Sequence, residues 1–194
     1  MEQIKFYLRD VGRILEALSP EQIQGLVDRV LGAYDEGRQV FLLGNGGSAS
    51  TCSHIVNDFQ KCIYFGSGKT KTFKCMSLTD NVALMTAWAN DTAYDQIFAE
   101  QLRPWVQPGD LVFCVSGSGN SPNVLNAARL AREMGAYTVG LTGFQGGKLA
   151  PLVDEPLVVP SDNMQRIEDA HMIILHLIFW RMLHEVEARR AAAE

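Results

Sequence analysis

Two stretches of small residues, GNGGSAS at 44–50 and SGSGNS at 116–121, each follow an apolar run and precede a helical pattern. A helix N-terminus exposes unpaired N–H groups and a partial positive charge. Glycine admits close backbone approach and serine hydroxyls add donors, so the combination suits an oxyanion such as phosphate. In the second stretch the candidate donors are Ser116, Ser118 and Ser121, and Pro122 suits the first turn of the following helix. One such loop alone reads equally well as a turn that uses small residues; two of them after strands favour a phosphate site. Neither is a dinucleotide fingerprint, because GNGGSAS lacks the third glycine of GxGxxG and no acidic residue closes the next strand. GxxxxGK(S/T) is absent as well, which leaves a small phosphorylated metabolite as the expected ligand.

Histidines and carboxylates supply the second kind of chemistry. His54 and Asp58 are spaced i, i+4 and share one helix face. In the closing stretch RIEDAHMIILH, Glu168 and His176 are eight residues apart, about 80° around a helix and about 12 Å along it, so two long side chains could just converge. His176 sits in a greasy run and needs a polar partner. A core histidine bonded to a carbonyl is the plain alternative, and His171 is assigned that role; His184 is given none. Two histidines and two carboxylates could hold a divalent metal or supply an acid and a base. Aldose–ketose isomerisation of a phosphosugar needs both a phosphate clamp and such a pair.

The composition is that of a soluble globular chain of 194 residues, read as one domain over 1–194. A net charge of −5 lacks the footprint of a nucleic-acid binder. The first twenty residues do not read as a signal peptide, and AHMIILHLIFW at 170–180 is too short for a membrane span and reads as a buried helix. Cys52, Cys62, Cys75 and Cys114 show no CxxC or zinc-finger spacing and are expected as reduced thiols in a cytoplasmic protein, with Cys75 and Cys114 packing in strands.

The elements that must position these residues follow from periodicity. Ile4, Leu8, Val11, Ile14, Leu15 and Leu18 recur at helical spacing, and Ser19, Pro20 and Gly37 bound a second helix, giving a helical hairpin over 1–37. From 38 to 190 the pattern alternates: strands at 39–44, 72–78, 110–116, 137–143 and 155–161, with helices at about 47–63, 80–103, 121–135 and 163–190 and a short helical turn after the fourth strand. Continuous apolar strands indicate a parallel sheet covered on both faces, a three-layer α/β/α sandwich whose ligands bind beyond the strand carboxyl ends.

Taken in order, GNGGSAS…H…D, ANDTAYDQIF, SGSGNSPNV, LTGFQGGKL and RIEDAHMIILH resemble the sugar isomerase (SIS) fold, and specifically the phosphoheptose isomerases, over nearly the whole chain. The resemblance implies conversion of sedoheptulose 7-phosphate to D-glycero-D-manno-heptose 7-phosphate by a homotetramer with active sites between subunits and with Zn²⁺, one per subunit. It implies substrate contacts from Asn45, Gly46, Gly47, Ser48, Asn90, Asp91, Ser116, Gly117, Ser118, Ser121 and Glu168. It further implies metal ligation by His54, Asp58, Glu168 and His176, and catalysis by Asp58 and His176.

Four positions depart from the family pattern. Asp58 stands for a glutamate one methylene longer, Glu168 for a glutamine, and Gly117 for a hydroxyl residue; Cys62 falls where an arginine is expected. An initiator-associating branch of the fold, which binds DnaA without catalysis, also has aspartate at the Asp58 position but lacks the histidine matching His176. A phosphosugar-binding or DnaA-binding regulator is therefore the second reading.

Overall fold

The computed structural model describes residues 1–193. It opens with the expected hairpin, α1 (Glu2–Glu16) and α2 (Pro20–Glu36). Ser19 Oγ accepts from the Gln22 N–H at 3.1 Å, and Gly37 ends α2 in the left-handed conformation at φ 67°. The apolar stripe of α1 is only partly used: Ile14 is buried, whereas Ile4 and Leu8 are 60% and 67% exposed.

Five strands form one parallel sheet: β1 (Val40–Gly44), β2 (Cys75–Ser77), β3 (Leu111–Val115), β4 (Tyr137–Thr142) and β5 (Glu155–Val158), in the order β2-β1-β3-β4-β5. Between them run α3 (Gly47–Asn57), α4 (Ile63–Gly66), α5 (Val82–Asp91), α6 (Ile97–Leu102) and α7 (Pro122–Glu133), and α8 (Met164–Ala193) closes the chain. Residues alternate across the sheet. Leu42, Phe113, Val115, Val139 and Leu157 pack under α2, α3 and α8, while Phe41, Leu43, Val112 and Cys114 pack under α6 and α7. With both faces covered, each central strand reads as a continuous apolar run.

Several expected boundaries shift for physical reasons. β2 and β5 are edge strands and are shorter than their apolar runs, since pairing is available on one side only. The helix expected at 47–63 runs on to Gly66 through a π-helical turn at Asp58–Cys62. The region expected as helix over 80–103 splits into α5, a 3₁₀ turn at Tyr94–Gln96 and α6. After β4 the chain makes the short helical turn expected there, with Ala150 N–H donating to Gly146 O at 3.1 Å and Val153 N–H to Leu149 O at 3.2 Å, while Leu149 and Lys148 donate backbone N–H groups to Gly119 and Asn120. The greasy run at 170–180 is not buried all round: Ile174, Leu175 and Ile178 are inside, but Leu177 and Trp180 are 39% and 51% exposed. No residue of α5 is buried. Among the described residues no helix is long and apolar enough to cross a membrane. Cys52, Cys75 and Cys114 are buried free thiols, as their strand and helix positions suggest, and burial pushes the Cys114 thiol up to about 12.

The strand order reverses between β1 and β3. Their carboxyl ends, Gly44 and Val115, are paired neighbours, so the two small-residue loops emerge side by side.

Candidate active site

The two loops line one cavity of about 240 Å³, whose wall includes Asn45, Gly46, Gly47, Ser48, Ser116 and Gly117, with Ser118, Ser121, Met164 and Glu168. The second loop is held by its neighbours. Ser116 N–H donates to Leu141 O at 3.0 Å, Gly143 N–H to Gly117 O at 2.8 Å, and Gly119 N–H back to Ser116 O at 2.9 Å. Gly119 lies at φ 64°, and a Cβ there would strike the Gly146 carbonyl, so the GG pair of LTGFQGGKL buttresses the loop at backbone-to-backbone distance. Ser116 and Ser121 hydroxyls are 3.2 Å apart, facing the same space at the start of α7. Hydroxyls and helix N–H groups gathered in this way can accept an oxyanion.

Gly47 opens α3, and its lack of a side chain is used by Glu168: a Cβ there would lie 2.5 Å from Glu168 Oε2. Gly117 is likewise filled from α8, since a Cβ at that position would run into Met164 Sδ. The hydroxyl missing at Gly117 thus leaves room that a methionine occupies.

About two turns further along the same two helices stands a second group. His54 Nε2 and His176 Nε2 are 2.9 Å apart, and each is 3.6 Å from Asp58 Oδ2. Asp58 begins the π-helical turn, a feature that recurs at functional sites. The three ligand atoms lie within 4.8 Å of one another. A tetrahedral zinc ion with bonds of about 2.0–2.1 Å sets its ligand atoms about 3.3 Å apart, so the observed separations fit three corners of such a site. The donor set, two imidazoles and one carboxylate, is of the kind that leaves the fourth position open. Glu168 is not in this group; it stays at the cavity end, against Gly47.

Asn90 and Asp91 are not brought to the cavity. They end α5, exposed, with Asn90 Nδ2 donating to Asp91 Oδ1 at 2.8 Å. His171 fills the core role expected of it, its Nε2 3.1 Å from Thr142 O, and burial holds it down at about 4. His184 packs on Trp180 with Nδ1 2.8 Å from the Trp180 carbonyl. Sequence reasoning missed Met164, Asn123 and Tyr94. Asn123 is 1% exposed and pairs with Asn45, and it lay within the SGSGNSPNV motif without an assigned task.

A serine- and glycine-rich loop and a histidine–carboxylate group thus stand together at the switch point of a parallel sheet, where α/β folds bind their ligands. Residues 6–143 match the SIS domain family. A phosphoheptose isomerase of Geobacter sp. is 36% identical over 92% of this chain and 93% of its own length. A probable phosphoheptose isomerase of Thermoplasma acidophilum is 35% identical over 90% and 94%. The solved phosphoheptose isomerase of Francisella tularensis superposes with a TM-score of 0.86 at 26% identity, covering 93% of this chain and 96% of that one. The chain therefore belongs to the SIS domain family and, within it, to the phosphoheptose isomerases.

Proposed function

We propose that the chain interconverts sedoheptulose 7-phosphate and D-glycero-D-manno-heptose 7-phosphate through a cis-enediol, with the phosphate in the serine cradle and the reacting carbons at His54, Asp58 and His176. The observation that carries this is the spacing of the two groups. Gly47 and Glu168 meet at the cavity end of α3 and α8, and His54 and His176 meet further along the same helices. Seven and eight residues of helix correspond to about 10–12 Å. An extended seven-carbon sugar phosphate, at about 1.3 Å advance per C–C bond, spans about 10 Å from C1 to phosphorus, and a five-carbon one falls about 2.5 Å short.

Asp58, as carboxylate, takes a proton from C1 of the ketose and returns it to C2. His176 delivers a proton to the carbonyl oxygen at C2 as the enediol forms and accepts one from the C1 hydroxyl as the aldehyde forms, so no proton is gained or lost. The shorter Asp58 reaches this position from a helix whose π turn starts at that residue. Glu168 lines the same cavity as the serine cradle and, as an acceptor, would take hydrogen bonds from sugar hydroxyls next to the phosphate. Zn²⁺, one per subunit, would be held by His54, Asp58 and His176 and would supply positive charge beside the developing oxyanion, the proton exchanges then using the second Asp58 oxygen and the His176 ring nitrogen that zinc leaves free.

We further infer a cytoplasmic homotetramer with sites at subunit interfaces. The uncovered apolar residues of α1, α5 and α8, and the placement of Asn90 and Asp91 away from their own cavity, support assembly. The isomerase reading is favoured over the non-catalytic one by the retained His176 within hydrogen-bonding distance of His54. Turnover of sedoheptulose 7-phosphate followed by ¹H NMR, together with light scattering for the assembly, tests both parts. Absence of turnover by the zinc-supplied protein overturns the first, and a monomer overturns the second.

A further inference from the structure

The first loop is tied to the second by a reciprocal amide pair. Asn45 Nδ2 donates to Asn123 Oδ1 at 2.9 Å, and Asn123 Nδ2 donates to Asn45 Oδ1 at 2.9 Å. Asn123 Oδ1 also accepts from the Val124 N–H at 3.0 Å, and Asn45 Oδ1 also accepts from the Tyr94 hydroxyl at 3.1 Å. The Val124 N–H fixes which end of the Asn123 amide is oxygen, and reciprocity then fixes Asn45. Both oxygens have two partners, so neither has a lone pair to spare. Asn45, which lines the cavity, is left with one N–H and nothing else to offer.

We propose that Asn123 and Tyr94 are positioning residues that lock Asn45 as a pure hydrogen-bond donor toward an oxygen of the bound sugar phosphate. Asn123 is 1% exposed and does not line the cavity, so it acts through Asn45 and not on the ligand. The lock joins three segments: the loop after β1, the turn after α5, and the start of α7. A second tie, Asn126 Nδ2 to Asp95 O at 2.9 Å, holds the same turn to α7. A free Asn45 could turn its oxygen toward the ligand, where phosphate or hydroxyl lone pairs would oppose it. The pair removes that choice before the ligand arrives.

The inference rests on the isomerase reading for its ligand, and a double-mutant cycle separates the two. Asn45→Ala, Asn123→Asp and their combination are compared in Kd for sedoheptulose 7-phosphate by calorimetry and in kcat and KM. Asn123→Asp keeps the acceptor for Val124 and loses the donor to Asn45. Each single change is expected to weaken kcat/KM about tenfold, with the same division between kcat and KM, and the double to be no worse than Asn45→Ala alone. Tyr94→Phe, at a ring 63% exposed, is expected to lower kcat/KM severalfold with unchanged Tm, which covers the case in which Asn123→Asp does not fold. Additive losses, or a Tyr94→Phe protein with wild-type kcat/KM and Kd, overturn the lock. A wild type that binds the sugar phosphate without turning it over overturns the isomerase reading alone, and the cycle in Kd still decides the lock; a wild type that does not bind it overturns both.

Discussion

His54 Nε2 lies 2.9 Å from His176 Nε2, although 122 residues separate them in sequence. Two imidazole nitrogens at that distance need either one N–H facing one lone pair or a cation between them, and Asp58 beside both favours the cation. Purified protein is therefore expected to carry about one zinc ion per chain, and His54→Ala to lose it. Chelation should lower activity and added zinc restore it. Full activity in metal-free protein would remove the ion from the account.

The spacing of cradle and histidine group predicts selection by chain length. A five-carbon ketose phosphate that anchors its phosphate among Ser116, Ser118 and Ser121 falls short of Asp58, and misplacement of this kind costs about 100-fold. Comparison of kcat/KM for sedoheptulose 7-phosphate and ribulose 5-phosphate measures it. Equal values would mean that the two groups do not act on one molecule.

Gly117 and Met164 form a packed pair at the cavity wall. Gly117→Ser drives its Cβ toward Met164 Sδ, with Ile167 Cγ2 at 3.7 Å behind, and is expected to cost about 1–3 kcal/mol of stability. Met164→Ala in the same chain should recover most of that loss in denaturant titration. A Gly117→Ser protein as stable as wild type would show that the methionine is not confined there.

Burial gives His171 a pH signature distinct from catalysis. Its folded value is held at about 4 against the ordinary 6.5, so between those pH values the unfolded chain binds a proton that the folded chain refuses. Stability is complete above 6.5, falls as the pH drops toward 4, and changes no further below it; the whole step is about 3 kcal/mol. Chemical denaturation across this range should show a shallower acid slope in His171→Leu than in wild type. Parallel slopes would assign the acid limb to other groups.

The sheet, the two loops and the His54–Asp58 face were legible because each depends on local spacing or on apolar runs. Convergence of His176 with them was legible only in part. Helix arithmetic gives the phase of Glu168 and His176 on α8, but not where α3 lies against it. In the fold Gly47 admits Glu168 at one end, and His54 takes His176 at the other. Asn123 was silent because an asparagine after proline in a first helical turn is ordinary until Asn45, 78 residues away, supplies its complement. No residue pattern marks the π turn at Asp58, and the bare faces of α1 and α5 carry the same apolar spacing as buried ones.

The central claim is that the His54–Asp58–His176 group performs proton transfer on the sugar whose phosphate the serine loop holds. Its most direct measurement is the interconversion of sedoheptulose 7-phosphate and its aldose in deuterated water. The account predicts turnover by wild type, and a loss of about 10²–10⁴ in kcat for His176→Ala with little change in substrate Kd. Wild-type turnover undiminished in His176→Ala would contradict it, as would a zinc-loaded wild type that binds the substrate and leaves it unchanged.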